Sequence, residues 1–187
     1  MPRAAICIRL LLALFAWSAF AARADEVTIC YNYGCHAKAQ VNFNEAQLAP
    51  LQRLLAEAAD AAAERKAISL VIGRMYAIAG EQTPVWRDKG GNFADSGENG
   101  QMDCIDHSTN THVFLSLLEL NGWLRFHTAL EPVRRVRFLI AVHWSALIRE
   151  KKTDSEYAVD SWYVDNGRPA FVIPIEDWRS GRVLHGT

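Results

Sequence analysis

Apolar residues recur at helical spacing through the first two thirds of the chain and at alternate positions through the last third, a segregation that confines the fold to helices gathered on a C-terminal sheet. A strand-like start at 27–31 precedes an alanine-rich helical stretch, opened by Asn44 or Pro50 and running to about Ala63. A second helix covers 65–79, with Ile68, Val71, Ile72, Met75 and Ile78 on one side and Gly80 as its stop. Residues 81–101 hold Gly90, Gly91, Gly97 and Gly100 without periodicity, which reads as a long loop feeding into the next helix. That helix opens at Cys104. Asp103 is its N-cap and Asp106 the acidic capping partner, and Ile105, Thr109, Val113, Leu117 and Leu120 recur until Asn121-Gly122 ends the run. Beyond it Val136, Phe138, Ile140 and Val142 alternate, and the run continues through 143–148. A polar break at 150–156 leads to strand-like residues 157–164, and Asp165-Asn166-Gly167 is a turn signal before 170–173. The pattern predicts an α+β fold, with N-terminal helices packed on a C-terminal antiparallel meander.

The chain starts with Arg3 and Arg9, continues through an apolar run at 10–22, and reaches Ala22-Arg23-Ala24. These features predict a secretory signal peptide over residues 1–24 and a single domain over residues 25–187. The apolar run is shorter than the roughly 20 residues of a spanning helix. An uncleaved anchor is the competing reading; cleavage would leave a periplasmic or secreted protein with no stable membrane insertion. The whole chain has 20 basic and 21 acidic residues, and the leader takes three of the arginines and no acid, so the remainder is mildly acidic. Only Arg134-Arg135 and Lys151-Lys152 cluster basic charge, which argues against a nucleic-acid partner.

Four cysteines less Cys7 of the leader leave Cys30, Cys35 and Cys104, an odd number in a chain bound for an oxidising compartment. Cys30-Tyr-Asn-Tyr-Gly-Cys35 is a short loop with a glycine to turn it, so a Cys30–Cys35 disulfide is the economical pairing. A bridge from Cys104 to either of them is the alternative. Left unpaired, Cys104 would sit at a helix N-terminus whose dipole favours thiolate, the nucleophilic form. The competing reading is a buried structural cysteine.

If His143 and Asp160 lie on consecutive antiparallel strands turning near 151–153, they are opposite or diagonal neighbours, with Cβ atoms within about 5–8 Å. Asp160 would then hold the imidazole of His143, and His143 would shuttle the proton of Cys104.

These three elements, Asp103-Cys104, His143-Trp144-Ser145-Ala146-Leu147 and Val159-Asp160-Ser161-Trp162, resemble in order the triad of the transglutaminase-like, papain-type thiol enzymes. The narrower resemblance is to bacterial transglutaminase-like cysteine proteinases, over roughly residues 65–165. In this chain His143 and Trp144 are adjacent, without the intervening residue of the His-x-Trp pattern, and Asp160 is followed by serine. The resemblance implies a Cys104, His143, Asp160 triad, a protein or peptide substrate, and an oxyanion site near the start of the Cys104 helix. Gln101 is a possible side-chain donor there, and a turn residue facing water is its other reading.

The expectation is amide or peptide hydrolysis, since water is always present as acceptor. The rivals are a catalytically silent protein-binding module of the same fold and an NlpC-type peptidoglycan amidopeptidase. No cofactor is expected, although Asp88, Asp95, Glu98 and Asp103 offer hard oxygen ligands that would suit calcium. His107 and His112 are five residues apart on one helix and do not align as zinc ligands. His127 is the alternative base, and Trp162 and Trp178 read as packing on the sheet.

Overall fold

The computed structural model describes residues 24–91, 99–138 and 140–181. The predicted leader lies outside them except for Ala24, and so do Asp95, Gly97 and Glu98 of the long loop.

The chain opens with an antiparallel hairpin, β1 (Ala24–Tyr31) and β2 (Ala37–Asn44). Helices α1 (Glu45–Ala56) and α2 (Ala61–Gln82) follow, then a 3₁₀ turn at Pro84–Arg87 and helix α3 (Cys104–Leu120). A four-stranded antiparallel meander completes the fold in the order β3 (His127–Arg137), β4 (Ala141–Glu150), β5 (Glu156–Asp160) and β6 (Phe171–Pro174), with the short helix α4 (Ile175–Ser180) after it. The fold is α+β with helices ahead of the C-terminal sheet, as the segregated periodicity predicts.

Several boundaries differ, each for a local reason. Asn44 does open α1, by a reciprocal capping box with Gln47, and Pro50 lies inside the helix. The alanine-rich stretch is two helices, because Asp60 caps a fresh start by accepting from Ala63 N at 2.8 Å. Gly80 does not stop α2, which runs through it to Gln82. Its missing side chain serves packing, since a Cβ there would come within 2.5 Å of Asn166 Nδ2. The alternating run from Val136 is not one strand. It folds back into the β3–β4 hairpin after Arg137, and Phe138 takes φ 51°. β3 begins as early as His127, and β2 is a strand that the sequence reading passed over, although Ala37, Ala39, Val41 and Phe43 alternate strictly with polar residues.

The sheet buries both faces. Ala146, Ile148 and Val159 join Ile68, Val71, Ile72 and Met75 of α2 and Phe114, Leu115 and Leu118 of α3 in the main core. Leu147, Ala158 and Ile173, alternating with them along the strands, pack with Ile175 and Trp178 of α4 in a smaller cluster. α3 buries a different face from the one its aliphatic residues mark. Asp106, His107, Asn110, Thr111, Phe114, Leu115 and Leu118 point inward, while Ile105 and Leu120 are exposed. Polar groups on the buried face are satisfied: Asn110 pairs with both the N–H and the carbonyl of Cys30, and Thr111 bonds the hydroxyls of Tyr76 and Ser161.

Candidate active site

Cys104 is the first residue of α3 and the free cysteine among the described residues, because Cys30 and Cys35 are joined in a disulfide. Asp103 caps the helix through Oδ1, which accepts from Ile105 N at 3.0 Å and Asp106 N at 2.9 Å. Asp106 returns the contact to Asp103 N, completing the capping box foreseen in the sequence. The N–H of His107 goes to the Asp103 carbonyl. Among the described residues the Cys104 N–H is thus the first-turn donor without an acceptor.

His143, near the start of β4, hydrogen-bonds through Nε2 to Asp160 Oδ2 at 2.7 Å. Asp160 closes β5. It also accepts from Trp178 Nε1 at 2.7 Å and from Trp162 N at 3.2 Å, so its buried carboxylate is held from three directions. With Nε2 engaged, Nδ1 is the ring nitrogen left for Cys104. Burial works against the charged imidazole, but hydrogen bonds and charge from Asp160 and Cys104 outweigh it and raise the His143 pKa to about 9. Trp162, Tyr163 and Trp178 surround the ring at centroid distances of 5.0, 5.3 and 5.7 Å.

Cys104 and His143 open into one cavity of about 380 Å³ whose walls include Tyr33, Arg135, Arg137, Phe138, Trp162 and Tyr163. The arrangement supplies a nucleophile at a helix N-terminus, a base that a buried carboxylate orients, and room for a substrate beside both. Gln101 stands apart. It does not line the cavity, and its amide donates to the Arg87 carbonyl at 3.4 Å.

Other titratable groups are committed elsewhere. His127 is fully buried against α2, with Nδ1 at 2.8 Å from Glu64 Oε2, and has no access to the Cys104 cavity. His107 bridges Asp88 Oδ2 at 2.9 Å and Ser161 Oγ at 2.8 Å. This Asp-His-Ser file has a catalytic look, but all three side chains are buried, so a substrate cannot reach the serine. It instead ties the segment before Cys104 to the end of β5, since Asp88 Oδ1 also accepts from Met102 N at 2.8 Å. Asp88 and Asp103 are therefore occupied by protein donors and do not form a carboxylate cluster, while Asp95 and Glu98 lie outside the described residues. His112 Nδ1 donates to the Leu130 carbonyl at 3.0 Å. The sulfurs of Cys30 and Cys35 lie close to the Asp106 carboxylate, yet their disulfide removes them as thiolate ligands.

The sequence reading did not anticipate Trp178 as a donor to Asp160, or Arg135, Arg137 and Tyr33 as cavity walls. Arg135 at least carries a positional signal, because it pairs directly with His143 across the β3–β4 ladder. Comparison with family models, curated proteins and solved structures finds no match to this chain.

Proposed function

We propose that this chain is an exported thiol enzyme of the transglutaminase-like kind that hydrolyses amide or peptide bonds with Cys104 as nucleophile, His143 as acid and base, and Asp160 as its orienter. The supporting observation is the hydrogen-bonded file Trp178–Asp160–His143, with His143 and Cys104 together in the wall of one open cavity. His143 Nδ1 takes the Cys104 proton, a transfer that the raised His143 pKa favours. The thiolate adds to the carbonyl carbon, and the charge developing on oxygen falls near the unspent Cys104 N–H and the helix N-terminus. His143 Nδ1–H protonates the departing amine, and the C–N bond breaks to leave an acyl-thioester. Water then attacks with His143 Nδ1 as base, and collapse of the second tetrahedral adduct releases a carboxylic acid and restores the thiolate. Asp160 keeps the Nε2–H tautomer and the ring orientation throughout.

The Cys30–Cys35 disulfide and the leader-like N-terminus support an exported setting. No helix among the described residues is long and apolar enough to cross a membrane. A thiol-directed activity probe with an amide-like recognition element should label Cys104 in the folded protein and fail to do so in the His143→Ala variant. Absence of labelling at Cys104 would replace the enzyme with a silent binding module of the same fold.

A further inference from the structure

The cavity beside Cys104 carries positive charge that the described residues leave unspent. Of its two arginines, Arg135 is committed: its guanidinium donates to the Trp178 carbonyl and, at 2.7 Å, to the Tyr163 hydroxyl, and its Cζ lies 4.6 Å from the Trp178 ring centroid. The guanidinium of Arg137, two residues on along β3, has no hydrogen bond or ion pair among the described residues. Its Cζ lies 5.0 Å from the Phe138 ring centroid. On its other side is Gly181, where a Cβ would overlap the guanidinium itself, so the absence of a side chain at Gly181 makes the space Arg137 occupies. The carboxylates nearest the nucleophile cannot serve as its partners. Asp103 Oδ1 holds two helix N–H groups and Oδ2 accepts from Gly34 N at 3.0 Å, while Asp160 is held by His143, Trp178 and Trp162. An arginine beside an aromatic ring and a glycine, in the same cavity as the nucleophile and lacking a counter-ion among the described residues, is poised to bind an external carboxylate.

We infer that Arg137 is a specificity-determining residue and that the substrate is an amide bearing a carboxylate close to the bond attacked. This rests on the thiol-enzyme reading above and adds the substrate class to it. The carboxylate could be an acidic side chain or a free α-carboxylate, since the guanidinium chemistry is the same for both.

Two alkylating agents that differ only in charge separate this inference from the reading on which it rests. Iodoacetate carries the carboxylate and iodoacetamide does not, and peptide mapping resolves reaction at Cys104 in the purified protein. Normalised to free cysteine, the iodoacetate-to-iodoacetamide rate ratio at Cys104 should be raised about tenfold, the effect expected of one charge-assisted contact. It should fall several-fold in Arg137→Gln and be largely retained in Arg137→Lys, the ratio cancelling any change in the general reactivity of the thiol. Protection against iodoacetamide by N-acetyl-aspartyl amide, or by N-acetyl-alanine, then names the side-chain or α-carboxylate source. Cys104 that reacts with iodoacetamide but shows no iodoacetate advantage, or an advantage that Arg137→Gln leaves intact, overturns the carboxylate assignment alone. Protection by neither compound, or equally in Arg137→Gln, overturns it too. Cys104 inert to both reagents in the folded protein sinks the thiol-enzyme reading itself.

Discussion

Asp160 stands one diagonal step from His143 across the antiparallel β4–β5 ladder, and their side chains meet at 2.7 Å. The ladder pairs Ala146 with Val159, so one step further along sets Asp160 opposite Ser145, two residues from His143. A diagonal placement leaves the second ring nitrogen free to face the N-terminus of α3. Trp178, brought back by α4, supplies the donor that keeps the Asp160 carboxylate in place.

The pairing makes the reactivity of Cys104 depend on His143. Iodoacetamide should alkylate Cys104 in unreduced folded protein, and the rate should collapse in His143→Ala. Asp160→Asn should lower turnover less completely, because Asp160 acts through the ring. The His143 pKa is raised from 6.5 to about 9, so its contribution to stability is full below pH 6.5 and disappears as pH rises through about 9. The stability gap between wild type and His143→Ala in urea melts should therefore narrow as pH rises from about 6.5 through 9, leaving the part due to ring packing; a gap that stays constant across that range would rule out the ion pair.

His127 supplies the contrast. Its Nδ1 bonds Glu64, and the other Glu64 contacts are the N–H groups of Arg125 at 2.6 Å and Phe126 at 2.9 Å, so the pair fastens the start of β3 to α2. Burial pushes the Glu64 pKa up, and these hydrogen bonds pull it below its usual value. His127→Ala should cost about 3 kcal/mol of stability, as the loss of one partner from a buried pair does. Cys104 alkylation at 25 °C should be unchanged. A slowed alkylation with intact stability would move His127 into the chemistry.

The sequence made the Cys104 helix and the β4–β5–β6 meander legible because capping residues and strand alternation act locally. Asp103 and Asp106 do what their spacing says, and the turn at Asp165-Asn166-Gly167 precedes β6 as read. The inward face of α3 was hidden for the opposite reason. His107, Asn110 and Thr111 are buried only because Asp88, Cys30, Tyr76 and Ser161 arrive from distant segments to satisfy them. Hydrophobic periodicity cannot register a helix that buries satisfied polar groups and exposes Ile105 and Leu120. The donor role of Trp178, read only as packing on the sheet, and the cavity position of Arg137 escaped notice likewise, since each arises through a tertiary contact with another element.

Asp106 gives a pH signature of its own. Burial, with the charge of Asp103 adding to it, raises its pKa from 3.8 to about 6. The folded state then binds the proton more tightly than the unfolded chain, so this group lowers stability as pH rises from about 4 to about 6 and is constant beyond. Asp106→Asn keeps an oxygen for the Cys35 N–H, which donates to Oδ1 at 2.6 Å, and removes the titration. The variant should gain stability relative to wild type between pH 4 and pH 7, by roughly 2–3 kcal/mol if the whole shift is recovered. A difference that stays flat across that range would show that Asp106 titrates normally.

The disulfide loop is the remaining support of the site. Asn32, Tyr33, Gly34 and Cys35 all take positive φ, between 57° and 64°, a run that three non-glycine residues adopt only when the surroundings hold it. Four hydrogen bonds do so: Gly34 N to Asp103 Oδ2, Cys35 N to Asp106 Oδ1, Gly100 N to Asn32 Oδ1, and Asn32 N to the Gln101 carbonyl. The loop thus grips both capping carboxylates of the Cys104 helix and the segment leading into it, and it sets Tyr33 in the cavity wall. Closing so short a loop restricts the unfolded chain enough to contribute about 2 kcal/mol. The Cys30→Ala/Cys35→Ala double variant should lose that much in denaturant titration, and amide exchange at Gly34 and Cys35 should quicken more than in the middle of α3. Turnover should drop while Cys104 remains alkylable, since the helix keeps Asp103 as its cap but Tyr33 loses its position. Unchanged exchange at Gly34 and Cys35 would mean that the hydrogen bonds alone hold the loop, leaving the disulfide no part in shaping the cavity.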